Sequence, residues 1–177
     1  MKKIMFLLLL CHLPFALFAQ PSVPMQREAM KKLDYMIGEW KGAGWMERDG
    51  QRHTFAGSET VQRKLGGLAL LVEGKFKGTV AGVEQEVTVH ETLAVMSYDE
   101  QAKIYRFRTY LANGSVGDHE LKLLESGWQW GLELPRGKIR YTFQLRATGE
   151  WFEIGEFSQD GASWQKFFEM TLVKTQN

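Results

Sequence analysis

The sequence predicts an all-β fold: a closed antiparallel ten-stranded barrel with a short helix ahead of its first strand. Three observations predict it. Within Leu33–Gly44 the apolar period changes from helical to two, with Gly38 as the break. Nine turn signals then follow at steps of roughly ten to fifteen residues, which marks off ten candidate strands. In the second half apolar and polar residues alternate, the signature of one buried and one wet face. No helical pattern of useful length separates the strands, so parallel crossovers are not expected. A meander of ten strands leaves two unpaired edges, and closing it into a barrel removes both.

Residues 1–19 are expected to be a signal peptide. Lys2 and Lys3 precede an apolar run from Ile4 to Leu10, prolonged to Phe18, and Ala19 is a small residue before Gln20 and Pro21. His12 and Pro14 interrupt the run, which falls short of the ~20 residues a spanning helix needs. Leu17 is large for its place before the cut, so the cleavage point stays open. The expectation is an exported chain, periplasmic or secreted, with residues 20–177 as a single barrel domain. Removal takes away Cys11, the only cysteine, and shifts the formal charge from +1 to −1. The domain then has neither disulfides nor thiol chemistry and depends on its core for stability.

Ser22 to Ile37 reads as the helix. Pro24 suits a first turn. Met30, Leu33, Met36 and Ile37 form one apolar stripe, and Glu28 ahead of Lys31 and Lys32 suits the helix dipole. Gly38 ends it. The turns follow at Asp49-Gly50, Gly66-Gly67, Gly78 to Gly82, Asp99-Glu100, Asn113-Gly114, Ser126-Gly127, Pro135 to Gly137, Thr148-Gly149 and Asp160-Gly161. Tyr105, Phe107, Thr109 and Leu111 share one face against Arg106 and Arg108. Trp128, Trp130, Leu132 and Leu134 share another, as do Ile139, Tyr141, Phe143 and Leu145, and Phe168, Met170 and Leu172. Gly42, Gly44 and Gly57 lie inside strands, where a coiled sheet bends at barrel corners.

Gly38-Glu39-Trp40 after a short helix resembles the G-x-W element of lipocalin-like, or calycin, barrels. The resemblance implies that Trp40 packs at the closed end, under a basic side chain of the last strand. Lys174 stands where that side chain would come, although arginine is commoner there. Leu65-Gly66-Gly67-Leu68, Ser97-Tyr98-Asp99 and Ser158-Gln159-Asp160-Gly161 look like the DUF1579 family. Those are small bacterial barrels, many of them exported, with no assigned biochemical role. The resemblance implies a fold more firmly than an activity. Nitrobindin-like haem barrels are similar in shape and hold iron through a histidine near the C-terminus. This chain has no histidine after His119, so haem in that manner is not expected and no cofactor is implied.

The chemistry is sparse. His53, His90 and His119 match no metal spacing. His53 flanks a turn and is expected in water, His90 points either way, and His119 shares parity with Leu121 and Leu123. Glu59 shares parity with Phe55 and Val61, and an inward glutamate in an apolar barrel would have its charged form disfavoured. A one-residue change of register puts it in water instead, and the pattern leaves both readings open. No nucleophile elbow, phosphate loop or catalytic carboxylate pair can be argued from the sequence.

A ten-stranded barrel has room for a small molecule. The candidate lining is Glu59, Tyr105, Phe107, His119, Trp128, Trp130, Tyr141, Phe143, Phe168 and Met170. Ordinary core packing is the alternative for each aromatic. The favoured function is binding a small hydrophobic or amphipathic ligand in an open interior behind Trp40. Acid–base catalysis by Glu59 with His119 or His90, or a structural protein with a vestigial pocket, are the alternatives. No basic run points to nucleic acid, and no later segment is apolar enough to span a membrane. A monomer and a homodimer through the barrel sides both remain open.

Overall fold

Residues 23–79 and 85–175 are described by a computed structural model. The expected signal peptide and part of the turn from Gly78 to Gly82 lie outside these residues. The strands are β1 (Gly38–Arg48), β2 (Gln51–Lys64), β3 (Ala69–Gly78), β4 (Val87–Asp99) and β5 (Ile104–Leu111). They continue as β6 (Val116–Leu124), β7 (Gly127–Leu134), β8 (Gly137–Leu145), β9 (Trp151–Ser158) and β10 (Gln165–Lys174). Each pairs antiparallel with its neighbours, and β1 pairs with β10 to close the barrel. Trp40 lies opposite Lys174 in that seam, and Thr175 donates its backbone N–H to the Glu39 carbonyl at 2.8 Å.

The turn chemistry accounts for the meander. Asp49 and Gly50 both have positive φ, at 53° and 70°, as a two-residue hairpin turn with right-handed twist requires. Gly127 and Gly137 are the first residues of β7 and β8 rather than part of the turns assigned to them. Boundaries shift this way because one glycine satisfies a turn or a strand end alike.

The N-terminal helix is shorter than expected. α1 covers Pro24–Lys31, and a separate 3₁₀ turn covers Asp34–Met36. The long stripe read from sequence is therefore two short pieces. Their break lets Met30, Leu33 and Met36 all point into the barrel end, at 1 %, 0 % and 0 % exposure. Glu28 lies beyond the first turn and pairs with Lys31 at 2.8 Å on the surface instead of serving the helix dipole. Three hydrogen bonds fasten this plug. The Trp40 indole donates to the Met36 carbonyl at 2.7 Å, Tyr105 donates to the Ala29 carbonyl at 2.9 Å, and the Trp128 indole reaches Met36 Sδ at 3.3 Å.

The hollow expected behind Trp40 is filled. Trp40, Trp128, Phe143 and Trp151 interlock, with Phe143 and Trp151 ring centres 4.7 Å apart and Trp40 and Trp151 5.6 Å apart. Leu172 and Val61 complete this floor. Each such buried side chain contributes about 1.5–3 kcal/mol. Lys174 Nζ lies 5.1 Å from the Trp40 ring centre and covers it from outside.

Glycines inside β1–β3 do more than bend the sheet. A Cβ on Gly44 would meet the Phe55 ring at 2.6 Å, and one on Gly57 would meet the Phe76 ring at 2.6 Å. Side chains of the neighbouring strand thus lie flat over glycines and occupy lumen that larger residues would have taken.

Candidate functional site

The closure order puts β2 and β9 three pairings apart around the wall, with β1 and β10 between them. Both carry a glutamate inward. On β2, Glu59 lies between Trp40 of β1 and Gly74 of β3 and is only 8 % exposed. The inward reading of Glu59 is thus the right one. Its carboxyl rests over Gly74, where a Cβ would come within 2.6 Å of Oε1 and 2.8 Å of Oε2. Oε2 is buried and has no hydrogen-bond partner. On β9, Glu153 lies between Phe143 of β8 and Met170 of β10, and accepts a hydrogen bond from the Trp151 indole at 3.1 Å.

Burial governs the protonation of this pair. Loss of solvent pushes Glu59 up to about 8, and the charge of Glu153 pushes in the same direction. Burial pushes Glu153 up to about 7, partly offset by the Trp151 hydrogen bond. Tyr141 is raised to about 12, first by burial and then by Glu153. At neutral pH the pair holds its protons far more tightly than free carboxyls do.

The sequence signal for Glu153 was ambiguous. Trp151, Glu153 and Phe157 share one parity, but Phe152 and Ile154 share the other, so β9 offers two apolar faces. Only the pairing with β8 and β10 decides between them.

Above the pair, toward the end opposite the plug, the lining is aromatic and half-buried. Trp130 stacks on Tyr141 with centres 4.8 Å apart, and His119 lies 4.4 Å from Trp130. Phe107 packs edge-on against Trp130 at 5.4 Å. Phe168 stacks on Phe55 at 5.7 Å and meets Tyr141 edge-on at 5.8 Å. Burial pulls His119 below the ordinary histidine value, and its charged neighbour is Asp118. The charge that acts on Glu59 is that of Glu153. His53 is half-buried rather than solvated, because its parity on β2 matches Phe55. His90 follows the inward row and packs near Phe76 at 6.2 Å.

The candidate lining therefore divides by height. Trp128, Phe143 and Met170 belong to the packed floor, at 2 %, 0 % and 4 % exposure. Tyr105 is turned toward the plug, where it packs on Tyr98 at 5.0 Å. Phe107, His119, Trp130, Tyr141 and Phe168 line the upper half.

Two recesses are open to solvent. One, of about 530 Å³, lies at the rim between the Asp49-Gly50 turn, Ile139, Phe157 and the start of β10 at Gln165–Phe167. The other, of about 600 Å³, runs across the outside of β2–β5 and is crossed by the Lys75–Glu91 ion pair. Among the described residues no three His, Cys, Asp or Glu converge as a metal site.

No protein-family model matches the chain, and no curated protein matches it. Solved structures do. Rv2717c from M. tuberculosis is similar with a TM-score of 0.57 and 11 % identity, over 84 % of this chain and 98 % of that one. The S-type phycobiliprotein lyase CPES from Guillardia theta gives a TM-score of 0.55 and 11 % identity, over 87 % and 95 %. At that identity the likeness concerns architecture alone: in fold, this chain is a lipocalin-like barrel.

Proposed function

We propose that the protein is a binding module that takes a small hydrophobic or amphipathic molecule through the mouth opposite the plug. The observation that carries this reading is the buried carboxyl pair in an aromatic lumen. A barrel selected only for stability has no use for Glu59, because an unpartnered buried carboxyl costs about 1–3 kcal/mol or more. A few polar groups set in an apolar wall are what ligand sites are made of. The half-buried aromatics above the pair provide the apolar wall, and the filled floor behind Trp40 sets its depth. The basic, apolar and small-residue order of residues 1–19 and the likeness to DUF1579 barrels support export and action outside the cytoplasm.

Acid–base catalysis at the same pair is the second reading. It is favoured by Glu153, which titrates at about 7, where a proton carrier works best near neutral pH.

The test is native mass spectrometry of protein taken from its own host, followed by tryptophan-emission titration with n-octanol. Binding predicts a retained small molecule, or saturable changes in the emission of Trp130. A bare mass together with no saturable response overturns the reading.

A further inference from the structure

The chemistry missing from the lumen identifies what enters it. Glu59 is more than nine-tenths buried, and its Oε2 faces the interior with no partner. Gly74 leaves the room that its carboxyl occupies, so the side chain is accommodated rather than squeezed. Glu153 arrives from the far side of the β1–β10 seam and takes one hydrogen bond, from Trp151. Two carboxyl groups thus lie within each other's field, and among the described residues one indole N–H donates to them. What they lack is N–H or O–H donors and positive charge.

Among the described residues the groups facing the pair supply no positive charge, and the one O–H beside it is that of Tyr141. β1 contributes Trp40, β3 Gly74, β10 Met170, and β8 Phe143 and Tyr141. Tyr141 is the titratable group among them. Lys174 stays outside, over the outer face of Trp40. Asp118 is the charge that His119 meets. An anionic head group would meet two carboxyls and no cation. A cationic one would meet both carboxyls, with the Tyr141–Trp130 stack as the apolar wall beside them.

We propose that Glu59 and Glu153 are the head-group site for an amine-bearing amphiphile, which enters with its ammonium end first and leaves its apolar tail among the upper aromatics. This rests on the binding-module reading and names the ligand class for that site. The pair holds protons at neutral pH, so an arriving ammonium displaces one to solvent. Binding is then linked to proton release and tightens as pH rises from 6 to 8.

The experiment compares n-octylamine, n-octanol and octanoate by calorimetry on the full protein, in two buffers of different ionisation enthalpy. The expected result is at least a tenfold preference for the amine over the alcohol, with a proton released on amine binding and no octanoate binding. In Glu59→Gln and Glu153→Gln the preference collapses, while near-ultraviolet dichroism of the floor tryptophans shows that the variants are folded. Equal affinity for amine and alcohol, or a preference that survives both substitutions, overturns the proposal and leaves the binding module standing. Failure of both amine and alcohol to bind overturns the binding module itself.

Discussion

Replacing Glu59 by Gln should change how the stability of the barrel depends on pH. In the fold this carboxyl titrates at about 8, against 4.5 for the ordinary glutamate side chain that the unfolded chain presents. Between those values the folded state holds a proton that the unfolded state has lost. Stability therefore falls as pH rises, by about 1.4 kcal/mol per unit for this one group. From pH 5 to pH 7 the loss amounts to about 3 kcal/mol. Below the unfolded value both states are protonated and the burial penalty vanishes; above the folded value both are ionised and the slope ends. Glu153 acts with the same sign up to about 7. His90 and His119, lowered by burial, act with the opposite sign below the ordinary histidine value and are common to both proteins. The difference between wild type and variant isolates the carboxyl. Urea unfolding at pH 5, 6 and 7 should show wild type losing stability faster than Glu59→Gln, so that the variant is the more stable protein at pH 7. Parallel stability curves for the two proteins would show that Glu59 is ionised or wet in the fold, and the account of the buried pair would be wrong.

Three further outcomes are expected. Gly74→Ala sets a Cβ 2.6 Å from the Glu59 carboxyl and should lower stability by about 1–3 kcal/mol, measured by urea midpoint. Much of that loss should be recovered in Gly74→Ala combined with Glu59→Ala, because the obstacle is the carboxyl. Phe143→Ala empties the most enclosed aromatic position of the floor and should cost about 3–5 kcal/mol, with loss of near-ultraviolet dichroism from Trp128 and Trp151. The His119 imidazole should titrate below 6.5 by NMR, since burial against Trp130 outweighs Asp118. A value at or above 6.5 would place the ring in water.

The carboxyl pair also sets this lumen apart from plain core. The outer ion pairs, such as Arg108–Asp118 at 3.2 Å and Lys138–Glu133 at 2.9 Å, join exposed side chains and contribute little because water screens them. The interior pair has no such compensation from a basic side chain. In consequence Glu59 lowers stability progressively as pH rises from about 4.5 to about 8.

Strand number, antiparallel order and the closed end were legible in the amino-acid sequence. Period-two alternation and Asp-Gly or Asn-Gly turns are local physics, and Gly38-Glu39-Trp40 with Lys174 marks the seam that β1 and β10 complete. The plug was legible only in part. Its apolar spacing ran on through Lys32 and Leu33, where the backbone leaves the α-helix before the 3₁₀ turn, so that Met30, Leu33 and Met36 all reach the floor.

The site needed tertiary structure. Glu59 had a parity but no certain face, and Glu153 sat in a strand with aromatics on both sides. Which residues meet across a barrel depends on the stagger accumulated strand by strand around the wall, a property of the whole closed sheet that no short window of sequence contains. Closure brought a carboxyl from β2 and one from β9 into each other's field, and packing of Trp40, Phe143 and Trp151 below them decided how deep the lumen runs.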